Sequence, residues 1–149
     1  MNSARPMVAR RYSLLRPLLM LANERMISDK RLGLVKGIVM SNVVAMYAEA
    51  EKLKDNGNHV ESIEVLQKIL EIDPNHVLAH LTLGRLYTLT GQHELAIAHN
   101  RKACELEPSD SFNFSALSVT CQRAYAGTGD HKYIQMAEDA MAHARSLNH

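Results

Sequence analysis

A repeated interval between turn residues constrains this chain more than any other feature of its sequence. The interval from Gly57 to Gly91 equals the interval from Pro74 to Pro108. Helix-breaking residues that recur at one interval indicate a repeated supersecondary unit, and an interval of about 34 residues accommodates two helices joined by a turn. Because such a unit cannot bury its apolar face alone, the sequence predicts several units stacked into one helical domain.

The segments between these markers have the composition and periodicity of paired helices. Good helix formers and apolar residues at helical spacing predict helices over 43–56 and 59–72, and then over 76–90 and 93–106. Asn75 follows a proline and precedes the third predicted helix, so it is the expected N-cap of that helix.

A third, divergent pair of helices is predicted over residues 112–147. Gly129 and Ala137 are separated by eight residues, whereas Gly91 and Ala96 are separated by five. About three residues are therefore expected to be inserted at the turn of this pair. Its last helix is predicted to be amphipathic with a polar outer side, which is what the end of a helical stack needs.

The second pair of helices resembles the tetratricopeptide repeat (TPR) family. The family pattern of spaced Leu, Gly, Tyr, Ala, Ala and Pro is met by Leu83, Gly84, Tyr87, Ala96, Ala103 and Pro108. The resemblance implies an all-α fold, an α-solenoid of about three TPR-like antiparallel helix pairs with an N-terminal helical extension. The chain departs from the pattern at four positions, where Met46 and His80 replace Trp, Glu49 replaces Leu, and Asn100 replaces an aromatic residue.

The resemblance also predicts how the chain is divided. A basic N-terminal extension covers residues 1–42, and a TPR domain covers 43–149. The repeats are expected at about 43–76, 77–110 and 111–147.

The N-terminal extension differs in charge from the rest of the chain. Residues 1–39 contain eight Lys or Arg and two acidic residues, while the remainder, 40–149, carries a net charge of −5. Three interpretations stay open: a cap helix on the repeats, an organelle presequence, or a translation start at Met40. The cap helix would use the apolar residues Leu14, Leu15, Leu18, Leu19 and Leu21.

Charge and hydropathy also bear on the partners. The mildly acidic repeats lack a basic stripe, so we expect no nucleic-acid partner. The apolar run from Leu18 to Ala22 is too short to cross a bilayer, and we expect no transmembrane segment.

The sequence contains no signature of catalysis or of cofactor binding. Phosphate-binding glycine loops, metalloprotease motifs and nucleophile elbows are all missing. His76 and His80 have the i, i+4 spacing of metal ligands, but no third ligand is evident, so no metal or cofactor is expected. The other histidines 93, 99, 131 and 143 are expected at the surface. Cys104 and Cys121 are predicted to be buried, and they suggest a reducing, cytoplasmic location.

The resemblance implies a protein–protein interaction module rather than an enzyme. In TPR proteins the first helix of each pair lines a concave groove that binds a protein segment. The groove residues carried over to this chain are Tyr47, Glu51, Leu78, Leu81, Thr82, Arg85, Leu89 and Phe112. The Lys and Asn residues with which some TPR domains clamp a terminal carboxylate are not at these positions.

An apolar groove of this kind favours an amphipathic helix or an apolar peptide as the ligand. The same residues are also consistent with packing against the N-terminal extension or a second copy of the chain. A self-assembling scaffold and a small secretion-chaperone-like protein are therefore the alternatives.

Overall fold

The computed structural model describes residues 29–149, with side chains described from residue 31. The leucines of the expected cap helix and the presequence interpretation lie outside this range. The choice among the three interpretations of the N-terminal extension therefore stays a prediction. The chain forms two compact units that meet in sequence between Pro74 and Asn75, at the junction between the first repeat and the second.

Residues 29–149 form six helices in three consecutive pairs, and this part of the chain contains no β-strand. The predicted all-α fold of helix pairs is confirmed. The helices are α1 (Asp29–Asp55), α2 (His59–Ile72), α3 (Val77–Leu89), α4 (His93–Leu106), α5 (Ser111–Thr128) and α6 (Lys132–Leu147).

α1 begins well upstream of its predicted start at Val43. The helix runs unbroken from Asp29 through the predicted boundary between extension and TPR domain. Val39 and Val43 are both buried and lie four residues apart, so the packed stripe of the helix continues upstream of that boundary. Gly33 and Gly37 both lie inside this helix, since an isolated glycine costs a helix only about 1 kcal/mol.

α1 is also the longest apolar segment in the described part of the chain. Residues Arg31–Asp55 are long and apolar enough to cross a membrane, whereas the expectation of no such segment rested on the shorter run from Leu18 to Ala22. The same helix supplies the buried side chains of Val43, Met46 and Ala50 to the first repeat. Length and composition alone do not distinguish a packed core helix from a membrane span.

The first unit is held together by close packing of α1 against α2. Met46, which stands where the family pattern has Trp, is fully buried. The Ser62 hydroxyl donates a hydrogen bond of 2.7 Å to the carbonyl of Ala50, and both residues are fully buried. Two small residues therefore face each other where the helices cross, and the serine satisfies its own polar group there.

The turns between helices use glycine in the left-handed conformation, as the repeated interval suggested. Gly57 and Gly91 have φ angles of 82° and 76°. A side chain is strained in this conformation, which explains why glycine recurs at the turn. The next helix does not begin as predicted, because its N-cap is His76 rather than Asn75. His76 accepts a hydrogen bond from the amide of Ala79 through Nδ1.

In the second unit, Asn100 explains a departure from the family pattern. Its side chain occupies the space beside Gly84, where an added Cβ would lie 2.5 Å from Oδ1. Nδ2 of Asn100 donates a hydrogen bond of 2.7 Å to the Thr120 hydroxyl, and both side chains are buried. A polar bridge between the second and third repeats therefore replaces the aromatic packing of the family.

The predicted insertion at the third turn is wrong, because the extra residues lengthen α5 instead. α5 has 18 residues and α3 has 13, while the turn after α5 is short and contains Gly129 with φ 72°. An extra helical turn of about four residues preserves the face that a helix buries. Cys121 follows Tyr87 by one repeat interval, and it is fully buried like a core residue. Tyr125 stands four residues before Gly129, as Tyr87 stands before Gly91, but it is only half-buried.

The core of the third repeat is built around that cysteine. Ile97, Cys121, Ala124, Tyr133 and Ala137 form one buried cluster. The Tyr133 hydroxyl also donates a hydrogen bond to the Glu94 carboxylate, which joins α6 to α4. α6 has the amphipathic pattern that was predicted, with Ala137, Ala140 and Ala144 buried and Gln135, Glu138, Asp139 and Arg145 exposed.

Candidate functional site

The first helices of the second unit expose an apolar stripe each. Leu78 and Leu89 of α3 are 53% and 56% exposed, and Phe112 and Val119 of α5 are 65% and 46% exposed. α3 and α5 contact each other, and each also packs against the second helix of its own repeat. Their exposed stripes therefore face away from the core.

The two stripes occupy the same registers. Leu78, Arg85 and Leu89 are spaced by seven and four residues, and so are Phe112, Val119 and Arg123, one repeat later in the sequence. All six side chains are exposed. Spacings of seven and four place residues on one face of a helix. We call these six residues the first-helix surface.

The structure places the predicted groove residues in three different situations. Leu78, Arg85, Leu89 and Phe112 are exposed on the first-helix surface, and Leu81 is half-buried beside it. Thr82 is buried and is not accessible to a partner. Tyr47 and Glu51 are half-buried in the first unit, and Glu51 forms an ion pair of 2.6 Å with Lys54. The prediction of these residues as one groove stays a prediction.

Arg123 is a surface residue that was not predicted from the sequence. It lies at the register of Leu89, one repeat later, so applying the repeat interval to Leu89 would have found it.

The histidines do not form the pair that their spacing suggested. His76 caps α3, and Nδ1 of His80 lies 3.0 Å from Nδ1 of His99 on α4. His99, which was expected at the surface, is half-buried and stacks on Tyr87 at 5.6 Å between ring centroids. No cluster of three or more His, Cys, Asp or Glu residues suited to a metal occurs within residues 29–149.

The histidine pair makes the stability of the second unit depend on pH. Burial and the nearby His80 hold the pKa of His99 below its usual 6.5. In the contact between the two Nδ1 atoms, one ring donates and the other accepts, so a second proton would bring two donors together. A group with a lowered pKa binds protons more readily in the unfolded chain, so stability falls as the pH drops below about 6.5.

We therefore expect a lower melting temperature at pH 5.5 than at pH 7.5, and a smaller difference in His99→Gln. Circular dichroism melts at the two pH values measure this. Glu94 is not expected to contribute, because the Tyr133 hydroxyl and Lys132 hold its pKa below its usual 4.5. An equal pH dependence in wild type and His99→Gln would contradict the assignment of this effect to His99.

Comparison with known proteins supports the helical repeats. The tetratricopeptide repeat family model matches residues 53–111. The Protein CTR9 homolog of Arabidopsis thaliana is 39% identical over 56 residues, which are 38% of this chain and 5% of that protein. This chain therefore spans only a small fraction of the length of that relative.

Solved structures share the fold at low sequence identity. The crystal structure of MamA is 19% identical, with a TM-score of 0.62, over 90% of this chain and 78% of that chain. A chain of the CopN-Scc3 complex is 18% identical, with a TM-score of 0.64, over 87% of this chain and 75% of that chain. The family match over residues 53–111, the turn glycines and the paired helices agree, and they support a tetratricopeptide repeat region in this chain.

Proposed function

We propose that this chain is a non-enzymatic interaction module that binds an amphipathic helix or apolar peptide on its first-helix surface. One observation carries the proposal: Leu78, Leu89, Phe112 and Val119 are each about half or more exposed, on the corresponding faces of two adjacent helices. Proteins of this family are in general interaction modules, and an exposed apolar patch is typical of a surface that binds a partner.

The size of the surface limits what it can bind alone. Complete burial of a Leu or Phe side chain contributes on the order of 1.5–3 kcal/mol, and about half of that area is already buried here. The four apolar residues would then contribute roughly 3–6 kcal/mol before ordering and association costs. Micromolar affinity needs about 8 kcal/mol, so the partner segment must span both helices and add polar contacts.

The proposal predicts that glutamate in this surface weakens binding without unfolding the chain. In Leu78→Glu/Phe112→Glu, two exposed apolar side chains become charged, and we expect partner capture to fall by about 100-fold. Capture from native extract, quantified by mass spectrometry, compares this variant with wild type. Leu95→Glu is the matched control, because Leu95 is 46% exposed on α4, a second helix.

The outcome separates binding from folding. Loss of a captured protein in the double variant but not in Leu95→Glu, with unchanged melting temperatures, supports the first-helix surface. Equal capture by all three chains would contradict the proposal. Substitution of Leu78 tests binding better than substitution of Leu81, because Leu81 is half-buried and its substitution would also disturb packing.

A second candidate is self-assembly, which a different surface favours. The N-terminal half of α1 exposes Leu34, Ile38 and Met40, which are 66%, 47% and 53% exposed. Gly33 and Gly37 lie on the same helix, and an added Cβ at either would meet no atom within 4 Å. Light scattering at tens of micromolar tests this candidate, and a single monomer mass would exclude it. The secretion-chaperone-like alternative and the cytoplasmic location stay predictions.

A further inference from the structure

The charges of the second unit are divided between its first and second helices. α3 and α5 contain no Asp or Glu, and their cationic residues are Arg85 and Arg123. The acidic residues of this unit lie on the second helices and in the turns: Glu94, Glu105, Glu107, Asp110, Asp130, Glu138 and Asp139. The first-helix surface is therefore apolar and positively charged.

Both arginines are exposed, and within residues 29–149 neither has a hydrogen bond or an ion pair. Asp110 lies nearest in sequence to the surface, at the start of α5, but its carboxylate accepts the hydrogen bond that caps this helix. The first repeat differs, because Glu51 stands at the register of Arg85 and is paired with Lys54. The first helices of the second and third repeats therefore carry an exposed arginine at or near this register, and the first helix of the first repeat does not.

The arginines are staggered along the surface. When α3 and α5 are aligned by the repeat interval, Arg85 corresponds to Val119, and Leu89 corresponds to Arg123. Arg123 therefore lies four positions further along its helix than Arg85 does along its own. Four residues correspond to about 6 Å along a helix axis, or about one turn. Packed helices also lie about 8–10 Å apart, so the two arginines are offset both along and across the surface, and carboxylates on both flanks of a partner helix could approach them.

We propose that the occupant of the first-helix surface is an acidic amphipathic helix of another protein. Its apolar face would cover Leu78, Leu89, Phe112 and Val119, and carboxylates along its two flanks would pair with Arg85 and Arg123. The inference rests on the proposed function and specifies the partner by charge. Charge pairs at the edge of an interface contribute orientation and partner selection more than affinity.

Two matched synthetic helices test the inference with the full chain. Each has about 18 residues, roughly five turns, with Leu and Phe at i, i+3, i+4 and i+7 spacing. One carries Glu along both flanks, and the other carries Lys at the same positions. Fluorescence anisotropy at low salt should show the acidic peptide binding about tenfold more tightly, with a preference that shrinks as salt screens the charges.

Charge reversal on the chain provides the second arm of the test. Arg85→Glu/Arg123→Glu should bind the basic peptide more tightly than the acidic one. Arg101→Glu/Arg145→Glu changes net charge equally, on the exposed surface of α4 and α6, and should keep the preference of wild type. Melting curves of both variants show that they are folded.

Each other outcome overturns a defined part of the account. If wild type binds the two peptides equally and Leu78→Glu/Phe112→Glu binds neither, the partner is not selected for acidic charge. The apolar binding surface would then still be supported. Binding of neither peptide would contradict the proposed function and this inference with it.

Phosphatidylserine vesicles form a third arm of the test. Binding to vesicles rather than to peptides, abolished in Arg85→Glu/Arg123→Glu, would replace the protein partner by a membrane surface.

Discussion

Gly84→Leu should destabilise the second unit by roughly 1–5 kcal/mol, the net of an overpacking cost, a lost polar contact and a smaller gain in helix propensity. The added Cβ would lie 2.5–2.7 Å from three side-chain atoms of Asn100, which is itself buried. Overpacking a core costs about 1–3 kcal/mol or more. Displacing Asn100 also breaks its hydrogen bond to Thr120 and leaves buried polar groups unpaired, at about 1–3 kcal/mol. The gain in helix propensity from replacing glycine, about 1 kcal/mol, does not offset these losses.

Urea denaturation measures this effect, and Gly37→Leu is the matched control. Gly37 also lies in the interior of a helix, but an added Cβ there would meet no atom within 4 Å. We expect this variant to be neutral or slightly stabilising because only the propensity term remains. Equal denaturation midpoints for the two variants would show that α3 and α4 do not cross as closely as the structure shows.

Cys104 and Cys121 should react with iodoacetamide at least about 100-fold more slowly in the folded chain than in urea at pH 8. Burial raises the pKa of Cys104 from its usual 9.0 to about 11, so about one thiol in a thousand is ionised at pH 8. In the unfolded chain about one in ten is ionised. Burial also raises the pKa of Cys121, which is fully buried in the core cluster of the third repeat.

An introduced surface cysteine provides the internal reference for this measurement. Ser109 lies in the exposed turn before α5, and Ser109→Cys adds a thiol with no burial. Intact-mass analysis should show one rapid adduct on this variant and none on wild type over the same interval. Rapid double labelling of folded wild type would mean that the core around these cysteines is open.

The sequence was sufficient for the fold because its signals are local. Turn glycines such as Gly57 and Gly91 are required by backbone conformation, and Gly84 is required by a close helix crossing. The burial of both cysteines was also predicted correctly. These properties depend on residue size and backbone angles, which can be inferred from spacing alone.

The errors arose where long-range packing decides the structure. The extra residues of the third repeat fit within α5 because one additional helical turn preserves the buried face, and spacing alone could not distinguish this from a longer turn. His99 was expected at the surface, but it is half-buried because it lies beside His80 of another helix, and local spacing does not reveal such a contact. The exposure of Leu78 and the burial of Thr82 on one helix likewise depend on neighbouring helices.

Site-specific photo-crosslinking tests the central claim most directly. A benzoylphenylalanine residue is placed at Phe112 in one chain and at Leu95 in another, and both are irradiated in native extract. The account predicts that the chain modified at Phe112 crosslinks to a protein through an acidic, apolar-faced helical segment, and that the chain modified at Leu95 does not. Crosslinks from Leu95 alone, or from Phe112 only to a second copy of this chain, would contradict the account.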